Sequence, residues 1–382
     1  MIRMELPRIR QEERTVLYAP ITLDGKRQEA WFSVEAEYGQ YLVEDRLDAF
    51  VVGFLTTAMR LGEDICCEGP ISRRLYYQLT EYLIPAMAAN MEIYHPIAIH
   101  APLTDTPLPC ERAVGTGWTG GVDSMYTLMT HLNAEEPSRR LTHLMVANVG
   151  TLEGGDTRKT LCYMTEKARG GVAAELGLRV VSVDSNLQEL QNEKYLAVAG
   201  FRLPAAVLAL QKLFGVFYNS AGYEFHRFSF VQENSAYYEL LPLSCFETDT
   251  TVLYSTGGQV TRMGKLQALS EFPLAHKYLH PCIYIRRENC GSCGKCVRTL
   301  GALYALGTLE RFGEVFDVAR FHREKDEYLA NILSHSESQH YGEVLAMVRK
   351  RGVPIPAEAL RKERIRRAAT LIAQKKLKPK EN

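Results

Sequence analysis

Two clusters of residues in this 382-residue chain are spaced as chemistry would need them. The first is Thr119-Gly120-Gly121-Val122-Asp123-Ser124. Paired glycines let a backbone approach an anion closely, and the N–H groups of a following first helical turn point at it. The hydroxyls of Thr119 and Ser124 add donors, and the Asp123 carboxylate can hold Mg²⁺ beside a phosphate. The plain alternative is an ordinary strand-to-helix turn. The order of residues fits neither the G-x-x-x-x-G-K-[ST] loop nor the G-x-G-x-x-G dinucleotide turn.

The second cluster is Cys282, Cys290, Cys293 and Cys296, spaced C-x7-C-x2-C-x2-C. Short spacers with glycines let the chain fold back so that sulfurs meet around one ion. Four thiolates with no open position describe a structural Zn²⁺ site. Such binding is worth roughly 10–16 kcal/mol in small zinc peptides, enough to pin a loop that lacks its own core. An iron–sulfur cluster is the rival, but the further cysteine of the ferredoxin run is replaced by Thr299 and Leu300. His276 and His280 are near enough in sequence to substitute for a ligand, although four thiols need no help. A redox pair is disfavoured by the crowding of the motif.

The elements around the first cluster suit a phosphate cradle. Residues 113–118 form an apolar run fit for a short buried strand, and Met125, Leu128, Met129 and Leu132 recur at helical spacing. From there strands and helices alternate, which predicts an α/β fold with a parallel sheet covered on both faces. The expected strands are 141–149, 179–184, 215–219 and 251–255. The expected helices are 157–176, weakened at Gly170-Gly171, then 203–213, then one carrying Met263, Leu266 and Leu269. Asn148, Asp184 and Asn219 end strands at the edge where such sheets bind ligands, though each is also an ordinary turn residue.

Residues 1–110 read as a smaller α+β module of their own, with no catalytic constellation. Segments 15–18, 29–34 and 40–43 are strand-like, Asp24-Gly25 suits a hairpin turn, and 47–59 and 72–87 suit helices, with Ser72 as an N-cap. Pro102, Pro107 and Pro109 mark a linker, and the adjacent Cys66 and Cys67 read as core or chance, since neighbouring cysteines point poorly at one metal. Residues 310–382 read as a helical, basic region, with twelve Lys or Arg against Glu358 and Glu363 between 349 and 380. Ala357, Leu360, Ala368, Ala369 and Ile372 are the expected apolar stripe. A solvated basic helix is the plain reading of that tail, and nucleic acid or an acidic partner the functional one.

Lys+Arg and Asp+Glu both number 45, so net charge steers toward no partner. No run approaches 18 apolar residues, so no membrane span is expected. The start, MIRMELPRIRQEER, lacks the apolar centre of a secretory signal, and nine cysteines, four of them clustered, suit a reducing compartment. The expectation is a cytoplasmic protein.

The glycine turn resembles the PP-loop of the N-type ATP pyrophosphatases, Ser-Gly-Gly-x-Asp-Ser, with Thr119 for the first serine. Together with the cysteine loop it resembles the 7-cyano-7-deazaguanine synthase (QueC) family. That family's metal loop also ends C-x2-C-x2-C with an arginine soon after, here Arg298, and Lys265 in Arg262-Met263-Gly264-Lys265 matches its phosphate lysine. The resemblance covers about residues 113–306. It implies a PP-loop/HUP-type Rossmann-like domain over 111–309, with a zinc loop at 280–298, and ATP, Mg²⁺ and Zn²⁺ as cofactors. Catalytic roles would fall to Asp123, Ser124 and Lys265. ATP would be held by Thr119, Gly120, Gly121, Val122, Asp123 and Ser124, with Asn148 added from its place at a strand end, and metal by Cys282, Cys290, Cys293 and Cys296.

The implied reaction is adenylation of a deazapurine-like carboxylate, 7-carboxy-7-deazaguanine or a related acid, with release of AMP and pyrophosphate. The acid would become an amide or nitrile, or be joined to a protein amine as in QueC-like antiphage proteins, where the terminal regions would meet the protein partner. The chain departs from the family in its long terminal regions and in Phe217-Tyr218-Asn219-Ser220, where the family carries an arginine–asparagine pair. Two other classes stay open. One is a PP-loop tRNA-thiolating enzyme, for which Cys162 and Cys245 are the candidate sulfur carriers, each also read as a buried small hydrophobe. The other is a non-catalytic, zinc-stabilised nucleotide-binding module.

Overall fold

The computed structural model describes residues 1–152 and 156–377, with side chains to residue 368. It forms two compact units, Met1–Thr119 with Thr127–Gln259, and Gly120–Tyr126 with the chain from Val260 onward.

The first unit is built on an 11-stranded sheet flanked by helices. Its strands, with two that stand apart, are β1 (Ile2–Met4), β2 (Arg8–Gln11), β3 (Thr15–Leu23), β4 (Lys26–Val34), β5 (Ile65–Cys67), β6 (Ile71–Ser72) and β7 (Ile99–His100). Then follow β8 (Leu103–Thr104), β9 (Ala113–Gly117), β10 (His143–Asn148), β11 (Arg179–Ser185), β12 (Phe214–Ser220) and β13 (Val252–Thr256). The order is β13-β12-β9-β10-β11-β4-β3-β1-β5-β7, with β2 on β3, while β6 and β8 form a separate pair. From β13 to β11 every pairing is parallel, as continuous apolar strands joined through helices require.

The α/β expectation is met, with a mixed, mostly parallel sheet. The region 1–110, however, contributes β1 to β5 and β7 to that same sheet. β4 pairs antiparallel with β11, Val34 opposite Val183 and Phe32 opposite Ser185. The expected boundary at 110 thus falls inside one hydrogen-bonded layer, and the two compact units follow neither it nor the one at 309.

The Asp24-Gly25 hairpin forms as expected. Both residues take positive φ, 52° and 72°, the twist that two-residue hairpins favour. Residues 40–43 are not a strand, because Ala36–Tyr41 coils into a 3-10 helix. Gly39 sits so close to Thr15 that a Cβ there would lie 2.6 Å from its hydroxyl. The expected helix 72–87 is divided into Arg73–Gln78, a π turn Leu79–Leu83, and Ile84–Asn90. Pro85 lacks the N–H that an unbroken α-helix would use there. Ser72 does not cap with its side chain. Its N–H and hydroxyl instead donate to the fully buried Asp48 at 2.7 and 2.6 Å. The helix expected at 203–213 begins earlier and spans Tyr195–Ala209 across Pro204, with Val198 and Phe201 already buried. Helix Thr157–Ala168 gives way at Arg169–Ala173, where Gly171 leaves helical geometry, as the paired glycines suggest.

In the second unit, helix Gly294–Leu306 is central. It packs on Gln339–Lys350, Lys325–Ser334 and Arg262–Leu269. Helix Ala357–Leu377 packs on Lys325–Ser334, but not through the expected stripe. Leu360 is exposed, Ala357 and Ala368 face solvent, Ala359 is buried, and Ala369 and Ile372 lie outside the described side chains. The packed face is charged instead, with Lys362 and Arg366 both reaching Glu327. Among the described residues no helix is long and apolar enough to cross a membrane.

Candidate functional site

The glycine turn and the cysteine loop belong to the same unit, and they touch. Gly120 takes φ +71°, and its carbonyl accepts the N–H of His280 at 2.7 Å. A Cβ on Gly120 would lie 3.4 Å from His280 Cβ and 3.5 Å from the Tyr278 carbonyl, so both conformation and space call for glycine. The Gly121 carbonyl accepts from Met125 N at 2.9 Å and from the buried Ser124 hydroxyl at 3.2 Å, which closes the first turn of helix Val122–His131. Val122 is buried beneath the turn. Thr119 is exposed and belongs to the first unit.

Asp123 is the charged centre of this turn. Lys265 Nζ donates to its Oδ1 and Arg262 Nη1 to its Oδ2, both at 2.9 Å. Lys265 is 3 % exposed at the side chain, Arg262 12 % and Asp123 25 %, so the pairs are well shielded from water. Burial pushes the Asp123 carboxyl up, but Arg262 and Lys265 outweigh it and hold the group below the usual carboxylate range. Thr261 Oγ1 caps helix Arg262–Leu269 by accepting Gly264 N at 3.1 Å, which sets Arg262 and Lys265 three residues apart on one face.

Lys295, from between Cys293 and Cys296, adds another cation. Burial lowers its pKa, with Arg298 and Arg262 adding to the effect and Asp123 opposing it. Arg262 and Arg298 line one small cleft with His340 and Glu343. The Asp123–Lys265 pairing joins two residues that the sequence singled out. Arg262 and Lys295 were not assigned a role, although Arg262 lies one helical turn before Lys265. An aspartate engaged by two cations is poised differently from one waiting for Mg²⁺ alone. Net positive charge surrounds it.

The four cysteines converge as expected, their Sγ atoms all within 4.8 Å of one another, and could hold a metal ion such as zinc. Backbone N–H groups point at the sulfurs: Tyr284 and Cys290 to Cys282 at 3.4 and 3.5 Å, Cys293 to Cys290 at 3.2 Å, and Cys296 to Cys293 at 3.4 Å. Such donors favour thiolates, and Cys293 also caps the N-terminus of helix Gly294–Leu306, where negative charge is stabilised. Burial pushes the Cys290 thiol up, but the Ser292 hydroxyl and the Cys293 N–H bring it down to about 6. Burial and neighbouring thiols push Cys282 and Cys296 up, a cost that a cation at the centre would remove.

Gly291, at φ +69°, supplies the bend between Cys290 and Cys293. His276 and His280 are not part of the cluster, and their Nε2 atoms donate to the carbonyls of Ser270 and Arg287 at 3.0 and 2.8 Å. Asn289, unremarked in the sequence, ties the loop to the Leu279 and Val315 carbonyls, both at 2.9 Å.

In the first unit the strand-end residues pair with one another. Asn148 Nδ2 donates to Asp184 Oδ1 at 2.7 Å across the β10–β11 register. Asn219 Nδ2 and Ser255 Oγ donate to the two oxygens of buried Glu239 at 3.0 and 2.5 Å. Glu239 had no sequence signal, since it follows an aromatic loop far from any motif. Cys245 is buried as expected, and burial pushes its thiol up to about 11. Cys162 is not buried but exposed on helix Thr157–Ala168, its hydrophilic neighbours turning that face outward. No family model matches the chain, and comparison with curated proteins and with solved structures found no match.

Proposed function

We propose that the chain is an ATP-dependent, AMP-forming enzyme of the PP-loop, QueC-like type that activates a carboxylate by adenylation. The observation that carries this reading is the Asp123 cluster. A glycine turn at a helix start, one carboxylate, and the cations Arg262, Lys265 and Lys295 sit together in one unit.

A carboxylate oxygen is a poor leaving group until it is joined to AMP. The protein's task is then to position phosphates and neutralise charge. When ATP binds, its phosphates would take over Lys265 and Arg262, and the released Asp123 would be free to hold Mg²⁺. Mg²⁺ there would neutralise the charge of the departing pyrophosphate. The first-turn N–H groups of helix Val122–His131 would contribute to the same end. The four-cysteine centre, with no open position for water, would hold the loop behind Gly120 in shape.

The acid is proposed to be deazapurine-like, and its fate an amide, a nitrile or a bond to a protein amine. A sulfur-transfer role would fall to the exposed Cys162 alone, because the Cys245 thiol is buried and held protonated. The test is incubation of the purified chain with ATP, Mg²⁺ and 7-carboxy-7-deazaguanine or simpler aromatic acids, followed by mass spectrometry of small molecules and protein. Acid-dependent AMP and pyrophosphate are expected. ADP in place of AMP, or no turnover with any acid alongside intact ATP binding, would overturn the reaction and favour a binding module.

A further inference from the structure

One edge of the sheet in the first unit holds a cavity that the proposed reaction does not use. It encloses 520 Å³ and lies where the parallel strands begin, against Ala113 of β9, His143 of β10, Arg179 of β11 and Leu213 just ahead of β12. Ligands of parallel sheets normally sit at the other edge, so a furnished cavity here needs its own reason. Three arginines line it, Arg112, Arg140 and Arg179, against one acid, Glu111. None of the three forms an ion pair among the described residues, whereas Arg158 and Arg169 of the same unit do.

Arg112 is held in an uncommon conformation. Its φ is +57°, a region that side-chain-bearing residues seldom adopt. It is fixed on both sides, with Glu111 N bonded to the Lys212 carbonyl and Ala113 N to the Leu213 carbonyl, each at 2.9 Å. Across from it Gly215 leaves room, since a Cβ there would lie 3.2 Å from Arg112 Cα, and the β9–β12 register breaks at this point. Strain of this kind persists where the surroundings enforce it, and it concentrates at ligand sites. A neighbouring cavity of 360 Å³ shares Tyr41, Leu178 and Arg179, so the tyrosine stands at the junction of the two.

We propose that this edge binds a small phosphomonoester with a flat ring, of the nucleoside monophosphate kind. The phosphate is gripped by Arg112, Arg140 and Arg179, and the ring lies along Tyr41. Guanidinium groups present paired donors that match phosphate oxygens, which a single lysine cannot do. A volume of 520 Å³ is within the range of small-ligand sites. The competing explanation is that the arginines serve only nearby backbone carbonyls, as Arg140 Nε does in donating to the Ala134 carbonyl at 2.8 Å in the loop after helix Val122–His131.

Hydrogen exchange of the full chain, read by mass spectrometry, separates these. AMP should slow exchange at residues 111–114, 140–143 and 176–180, inorganic phosphate and ribose 5-phosphate should do so more weakly, and adenosine should not. The double variant R140E/R179E should weaken AMP protection at least tenfold, and Arg179→Lys, which keeps the charge, should weaken it less. Protection confined to 120–126 and 262–265 would place AMP at the glycine turn alone and overturn the proposal. So would equal protection by adenosine, or undiminished AMP protection in a folded double variant. A double variant that merely melts earlier, with no AMP effect in the wild type, would leave the arginines as partners of backbone carbonyls and also overturn it.

Discussion

Asp123→Asn keeps the shape of the side chain and removes the charge that faces Lys265 and Arg262. Stripping one partner from a fully buried ion pair costs about 3–5 kcal/mol. Asp123 is 25 % exposed, so the expected loss is smaller, about 2–4 kcal/mol, and falls on the unit that contains the cysteine loop. The variant also keeps its cations without their internal counter-charge. Inorganic pyrophosphate without Mg²⁺ should therefore bind the variant more tightly than the wild type, while Mg²⁺-dependent AMP formation is lost. Ligand at about 100 times its dissociation constant adds about 2.7 kcal/mol to the stability of the form it binds, enough to be seen as rescue of the melting temperature.

The pH dependence has a definite sign. The folded Asp123 carboxyl is held below its unfolded value of about 3.9, so its contribution is complete above that pH and disappears as pH falls through the folded value. The stability gap between wild type and variant should thus close in acid. Calorimetry in a buffer free of phosphate, with and without pyrophosphate, measures both effects. A variant as stable as the wild type at neutral pH, or one that binds pyrophosphate no better, would refute the idea of a cation cluster restrained by one acid.

Metal analysis should find one zinc-class ion per chain, and Cys293→Ser should lose metal and thermal stability together; full stability in metal-free wild type would count against the site. His143 gives a second pH test. Burial, with Arg179 adding, lowers its pKa to about 4 from an unfolded value of about 6.5. Between those values the unfolded chain takes up a proton that the folded chain refuses, so stability falls with pH by at most about 3 kcal/mol. His143→Gln should flatten denaturant midpoints over that interval, and an unchanged slope would reject the assignment.

What could be read in the sequence was local. The Asp24-Gly25 turn, the buried face of Met263, Leu266 and Leu269, and the convergence of four cysteines each depend on a few neighbouring residues. What was hidden depends on partners far along the chain. Nothing in the pattern of β4 says that it will pair with β11, and that pairing decides the extent of the sheet. Lys295 reads as spacer in a metal motif until the fold brings it near Asp123. The last helix was misjudged because an apolar stripe was sought where Glu327 recruits Lys362 and Arg366.

The seam between β4 and β11 bears on how this protein can be divided. A version trimmed to start at Glu111 would retain the parallel run β9 to β13 yet bare the rim of β11. Its Val180, Val181 and Val183 are buried in the intact chain. Stripped of β4, the backbone amides and carbonyls of residues 183–185 would recruit strands from other molecules. The shortened protein would precipitate, whatever catalytic residues it preserved.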